Sequence, residues 1–330
     1  MEYRHLGRTG LKVSALSYGA WVTMSYQVQA VKQAAELLAA CRDAGCNFFD
    51  NAEVYAKGDA EILMGKAIKE LGWKRSDLVL TTKIFWGGEG PNDIGLSRKH
   101  VIEGTKASLR RMGVDYVDVL FAHRPDPNTP IEETVRAFNH CIDHGWAFYW
   151  GTSEWSAEQI NEAWAVADRL DLIGPSCEQP QYNLFERTKV EREFVPLYDS
   201  RGLGLTTWSP LASGVLTGKY SGGDVPAGSR FTVENYAGLR DRWLTEKKHQ
   251  LEGVDRLVPI ASELGCSLAQ LALAWCLRNE RVSTVITGAT SAAQVRENFR
   301  ALEVAPKLTP ELLARIDAAI GDAAAPAADQ

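Results

Sequence analysis

The chain has 330 residues, 45% of them hydrophobic, which is enough to bury a large core. A formal charge of −6 argues against a nucleic-acid-binding surface. No apolar run is long enough to cross a bilayer, and the opening MEYRHLGRTG lacks the apolar stretch of a secretory signal.

In chain order, a short hairpin is expected around Tyr3–Leu6 and Leu11–Ser14, with Gly7 and Gly10 in its turn. Val13–Gly19 reads as a first strand and Gln29–Asp43 as a helix, with Gly45 as its C-terminal cap. Asn47–Ala52 is a second strand, followed by a helix at Asp59–Leu71. Leu78–Ile84 is a third, followed by a helix capped by Ser97 and ending near Gly113. Tyr116–His123 is a fourth strand. Thr129 then reads as N-cap, Pro130 as the first helical residue and Glu132 as the third.

Ala147–Ser153 is strand five, and Ser156 with Gln159 forms a capping box for a helix through Leu170. Ser176–Tyr182 is strand six, with a helix near Lys189–Ser200. Leu203–Trp208 is strand seven. Ser283–Ala289 is strand eight, with a helix over Ala292–Leu302. An additional helical stretch, Thr245–Leu264, precedes Ser267–Leu277. Ala323–Gln330 (AAAPAADQ) has the composition of a disordered tail.

Eight strand-plus-helix units predict an α/β chain folded as one (β/α)8 TIM barrel, with an N-terminal hairpin and extra C-terminal helices. Such a barrel needs roughly 250 residues, and no linker divides residues 1–330 into two domains. Two long Gly-rich loops, Trp86–Leu96 and Ser221–Gly238, leave the end of the barrel where function normally sits. The six cysteines form no CxxC pair and lie mostly in apolar runs, which reads as buried thiols.

Strands buried in a parallel sheet should be apolar throughout. Asp50, Tyr55, Lys83 and His123 instead place polar groups at or just past the ends of three consecutive strands. A lone Tyr or His is ordinarily a satisfied structural residue; four suitable residues at neighbouring strand ends lower that reading sharply. A phenol can protonate a developing alkoxide, especially beside a cation. Lys83 could be that cation, Asp50 could hold it, and His123 could orient the substrate oxygen. Nothing here is a nucleophile activated by a base.

His140 and His144, four apart on a helix, suit a solvated pair better than a metal site; His5, His100 and His249 are isolated in sequence. No GxGxxG follows the first strand. Trp21, Trp86 and Trp208 are each placed to line a pocket at the same rim.

The motifs GAWVT (Gly19–Thr23), FFDNAEVY (Phe48–Tyr55), TKIFWGG (Thr82–Gly88), YWGTSEWS (Tyr149–Ser156), EQPQYNLF (Glu178–Phe185), TTWSPLASGVLTGKY (Thr206–Tyr220) and ITGATSAAQVREN (Ile286–Asn298) form one collinear set. Together with GLSRKHVIEGTKASLRR (Gly95–Arg111) and RPDPNTPIEETVRA (Arg124–Ala137), they resemble the aldo-keto reductases. The likeness runs from Tyr3 to about Ile320 and is to the branch holding the voltage-gated potassium channel beta subunits and their plant and bacterial relatives.

The resemblance implies NADPH/NADP bound without a Rossmann fold, and a tetrad of Asp50, Tyr55, Lys83 and His123 with Tyr55 as general acid. It implies that an aldehyde or ketone is reduced to an alcohol. Around the nicotinamide it implies Trp21, Asp50, Ser153 and Gln179. Along the ribose and pyrophosphate it implies Trp208, Ser209, Pro210, Leu211, Ser213 and Lys219. Near the adenosine end it implies Arg230, Gly288, Thr290, Gln294, Glu297 and Asn298. Trp21, Tyr55 and Trp86 would shape the substrate pocket.

Animal channel subunits carry Asn at the position of His123, so the tetrad here is the reductase-like version. They carry Arg at the position of Glu154, where plant-type members have Glu. A homotetramer, a potassium channel alpha subunit as partner, and a location in the cytoplasm or at the membrane surface through that partner are further expectations of the resemblance.

Overall fold

The computed structural model describes residues 1–232 and 237–321. The hairpin pairs β1 (Tyr3–His5) antiparallel with β2 (Lys12–Ser14). The chain continues through β3 (Leu16–Gly19), α1 (Val31–Asp43), β4 (Phe48–Asp50), α2 (Asp59–Leu71), β5 (Val79–Ile84) and α3 (Arg98–Met112). Next come β6 (Val117–Ala122), α4 (Ile131–Asp143), β7 (Ala147–Ser153), α5 (Ala157–Leu170), β8 (Cys177–Gln179), α6 (Val195–Arg201) and β9 (Gly204–Thr207). Helices α7 (Ala237–Leu244), α8 (Lys248–Asp255), α9 (Val258–Glu263) and α10 (Leu268–Leu277) precede β10 (Val282–Thr287). The chain ends in α11 (Ala292–Phe299), α12 (Ala301–Val304) and α13 (Pro310–Ile320).

Eight parallel strands close in the order β10-β3-β4-β5-β6-β7-β8-β9, the expected (β/α)8 barrel. Register is regular where the site is built: Asp50 pairs with Thr81, and Lys83 with Phe121. Every residue of β5 and β6 is buried, as strands covered on both faces must be.

The N-terminal hairpin meets the barrel where its strands begin. Leu6 and Val13 join a core cluster with Phe48, Val79, Val119, Phe121, Cys177 and Ile286. Tyr3 donates to the Gly45 carbonyl, and Arg4 to that of Val282, the first residue of β10. One end of the barrel is thereby plugged with apolar side chains. Chemistry is left to the other end.

Local signals explain most boundaries. Ser97 caps α3 through the His100 N–H, and Ser156 with Gln159 makes the reciprocal capping box of α5. Gly45, with φ +89°, follows the end of α1. Two expectations need correction. The first turn of α4 is capped by the backbone of Pro130, because the Thr129 hydroxyl is taken by Asp126 Oδ2 at 2.7 Å. Strand β8 covers only Cys177–Gln179, flanked by Pro175 and Pro180, which cannot donate to a ladder. The expected tail Ala323–Gln330 lies outside the described residues. All six cysteines are free, five buried and Cys266 partly exposed.

The chain divides into two compact units. Met1–Pro180, Glu193–Trp208 and Arg281–Arg296 hold the barrel. The second unit takes Gln181–Arg192, Ser209–Glu280 and the described residues from Glu297 onward. In the second unit α10 (LAQLALAWCL) is buried from Ala269 to Leu277, as a helix apolar on all sides but for Gln270 should be. Ser267 and Gln270 give it a second reciprocal capping box. Arg187 stands over the Trp275 ring and pairs with both Glu191 and Asp317.

Candidate functional site

Alternation along β5 decides what reaches the barrel interior. Thr81 and Lys83 point the same way, and both bond Asp50, the last residue of β4. Thr82, between them, points outward to Glu61 of α2. Lys83 is fully buried, and its ammonium uses all three protons: on Asp50 Oδ2 at 2.5 Å, the Asn51 carbonyl at 2.8 Å and the Tyr55 hydroxyl at 2.9 Å. Asp50 Oδ1 accepts from Thr81 at 2.7 Å and from the Gln179 amide at 3.1 Å. Tyr55 opens a tight turn, Tyr55–Gly58, in which Ala56 and Lys57 have left-handed backbones, and is half-buried. His123 directly follows β6, its ring edge-on to Tyr55 with centroids 5.8 Å apart. The structure thus brings Asp50, Tyr55, Lys83 and His123 together.

The arrangement is a hydrogen-bonded carboxylate–ammonium–phenol chain whose carboxylate and ammonium are buried. Because Lys83 donates to the phenolic oxygen, the Tyr55 O–H is left to point elsewhere. Burial lowers the Lys83 pKa, with the Asp50 charge acting against it. Burial, helped by the charges of Lys83 and Arg124, holds His123 well below the usual imidazole range. His123 is therefore neutral at pH 7, and its Nδ1 is buried without a hydrogen-bond partner among the described residues.

That depression has a measurable consequence. As pH falls below about 6.5, the unfolded chain protonates His123 and the folded chain does not, so stability present above that pH is lost as it drops. We expect the wild type to lose up to about 1.4 kcal/mol per pH unit more than His123→Asn between pH 6.5 and 5. Urea midpoints measured across that range test it; parallel curves would contradict the assignment.

Around the tetrad, Arg124 donates to the His123 carbonyl at 2.6 Å and lies 3.4 Å from Ser153 Oγ, which itself donates to the Gln179 carbonyl. Trp86 packs edge-on to His123 at 5.1 Å. On the same rim Trp21, 37% exposed, meets Trp208 edge-on at 5.6 Å, and the Trp208 indole donates to Glu154. Gly288 follows β10 by one residue. Gln294 Oε1 accepts from the Thr290 N–H and hydroxyl.

The second unit holds the remaining predicted residues. Ser209 and Ser213 have left-handed backbones, as do Ala212 and Gly214. Within the segment the Ala212 N–H donates to the Ser209 carbonyl at 3.0 Å and the Gly214 N–H to that of Leu211 at 2.8 Å, which closes it into tight turns. Lys219 lies beside them: a Cβ on Gly214 would stand 2.9 Å from its ammonium. Pro210 and Leu211 belong to the same segment. Asn298 is 8% exposed, and the Glu297 carbonyl accepts from Gln270. The Arg230 side chain lies outside the described residues.

Three residues near the site escape a strand-end search. Thr81 stands two residues before Lys83 and Arg124 directly after His123, and proximity was their only signal. Glu53 is 3% exposed and bonds His100, which looked isolated in the sequence. Its place in the run between Asp50 and Tyr55 is the clue that could have found it. The His140 and His144 rings lie tilted at 42° with centroids 3.9 Å apart, and Arg98 Nη2 lies 3.3 Å from His140 Nδ1.

The sequence model of the aldo/keto reductase family matches residues 15–320. A rice (Oryza sativa subsp. japonica) protein named "Probable voltage-gated potassium channel subunit beta" is 65% identical over 320 residues, covering 97% of both chains. One of the same name from Arabidopsis thaliana is 64% identical, again over 97% of each. With its closed barrel and a match along nearly its whole length, the chain belongs to the aldo/keto reductase family of oxidoreductases.

Proposed function

We propose that this chain is an NADPH-dependent reductase that converts aldehydes or ketones to alcohols, with Tyr55 as the proton donor. The observation that carries the reading is the fully buried Lys83 ammonium donating to the Tyr55 oxygen at 2.9 Å. That contact stabilises the phenolate left when Tyr55 gives up its proton. Asp50 keeps Lys83 in place and balances its charge. Neutral His123 orients the carbonyl oxygen without competing for the proton. NADPH, when bound, supplies the hydride. Steady-state absorbance at the reduced nicotinamide band, with a panel of short, branched and aromatic aldehydes, tests the reading; no turnover with any of them would reject it.

The residues fit such a cofactor. The Lys219 ammonium, set against the tight turn at Gly214, suits a pyrophosphate. Trp21, Asp50, Ser153 and Gln179 are assigned to the nicotinamide, Trp208, Pro210 and Leu211 to the ribose and pyrophosphate, and Gly288, Thr290, Gln294, Glu297 and Asn298 to the adenosine. Lys219 and Arg230 favour a 2′-phosphate and hence NADPH over NADH. Arg230→Ala is expected to weaken NADPH binding by about 1.5–3 kcal/mol, the scale of a charged hydrogen bond, and NADH less. Fluorescence titration of both cofactors decides it; equal losses would remove the preference.

A second reading is favoured by the names of the two plant relatives: a cofactor-carrying beta subunit docked on a potassium channel alpha subunit. It is compatible with catalysis. It makes the chain cytoplasmic and peripheral to the membrane through its partner; no single helix among the described residues is long and apolar enough to cross one. It also implies a homotetramer, whose head-to-tail contacts use the same two patches on every copy. Light scattering at micromolar concentration should give four times the 36.3 kDa chain mass. A monomer would remove the ring and the main support for docking.

A further inference from the structure

Between Asp50 and Tyr55 the chain buries a second carboxylate. The Glu53 N–H donates to the Lys83 carbonyl at 3.2 Å, continuing the pairing of β4 with β5. Its side-chain Oε1 accepts from two donors, the Phe85 N–H at 2.7 Å and His100 Nε2 at 3.0 Å. His100 is 4% exposed and sits in the first turn of α3, where its own N–H is held by the Ser97 cap. The space around the pair is closed by backbone. A Cβ on Gly87 would lie 2.6 Å from His100 Cε1, and one on Gly104 would lie 2.9 Å from Glu53 Oε2.

Trp86 stands between the two contact points. Phe85, tied to Glu53, is also bonded by the Gly95 N–H, and Trp86 bridges to Ile94, so the segment is a small hairpin. Gly87, on the other side of Trp86, rests against His100. The Trp86 ring reaches His123. One carboxylate two residues before Tyr55 therefore fixes the base of the hairpin that carries Trp86.

We propose that the Glu53–His100 pair is a positioning device that sets the spacing between Trp86 and Tyr55, and with it the size of carbonyl compound the site accepts. The inference rests on the reading of Tyr55 as proton donor and Trp86 as pocket wall. A pair that served stability alone would change the melting temperature and leave substrate preference untouched. A positioning pair changes the preference, because a displacement near 1 Å can alter rate by about 10²-fold.

The experiment compares kcat/KM for propanal and 2-naphthaldehyde with NADPH. Glu53→Ala removes the acceptor for both Phe85 and His100. It should shift the ratio of the two values by about 10-fold or more, the scale of altered pocket contacts. Glu53→Gln keeps an oxygen in the place of Oε1 and should restore the wild-type ratio. Gly87→Ala perturbs the same joint from the other side by adding a methyl against His100, and it deletes no partner. It carries the test should Glu53→Ala not fold, and it too should shift the ratio. Ratios within twofold of wild type in every folded variant, or proportionate losses on both aldehydes, would overturn the inference while leaving the reductase reading intact. A wild type that reduces neither aldehyde would remove the reductase reading and this inference with it.

Discussion

Tyr55→Phe is expected to lower carbonyl reduction by about 10²–10⁴-fold, the usual worth of a positioned general acid. The substitution removes one oxygen and its proton. Lys83 keeps its contacts to Asp50 and the Asn51 carbonyl and loses its third acceptor. Loss of an acceptor for a buried ammonium adds a penalty of about 1–3 kcal/mol, so the melting temperature should fall modestly as well. NADPH affinity should change little, because the cofactor contacts assigned above do not include the phenol oxygen. Single-turnover measurements separate the effects: a variant with wild-type rates of reduction would exclude Tyr55 as the donor.

Lys83→Met is expected to damage both turnover and stability. Without the ammonium the Tyr55 phenolate loses the cation beside it, a loss on the order of 10²–10³-fold by comparison with other charge-stabilising donors. Asp50, 2% exposed, is left as a buried carboxylate without its cation. Breaking a buried pair in this way costs about 3–5 kcal/mol. The double variant Asp50→Asn/Lys83→Met removes the orphaned charge and should regain part of the stability and none of the turnover. Urea unfolding beside steady-state rates would check both halves. A stable, active Lys83→Met protein would dismiss the relay from Asp50 through Lys83 to Tyr55.

The barrel and the clustering of Asp50, Tyr55, Lys83 and His123 were legible because both follow from short local runs. Buried parallel strands read as short apolar runs, so polar residues at their ends stand out, as Asp50, Lys83 and His123 do. The capping box at Ser156 and Gln159 is likewise a four-residue pattern. What was hidden depends on residues far apart in sequence. Glu53 and His100 are separated by 47 positions, and neither residue type announces the other. Thr129 looks like a cap until the fold brings Asp126 within reach of its hydroxyl. Strand β8 is short because prolines bound it, a signal present in the sequence but outweighed by the apolar character of the run. In the second unit Ser267 and Gln270 show the same spacing as Ser156 and Gln159, and the pattern was available there too.

The hairpin under the barrel separates two roles along the axis. A strand of six residues is about 20 Å long, and its tilt shortens that distance along the barrel axis. Anything joined ahead of Tyr3, whether an affinity handle, a tether to a surface or a second protein, departs from the face opposite Tyr55. Such a fusion should leave Michaelis constants alone, while even a short insertion between Phe85 and Leu96 would enter the path of the substrate. The molecule can thus be immobilised through its N-terminal hairpin, on the side away from Asp50, Lys83 and His123, an orientation useful to any electrode or bead that must present that end.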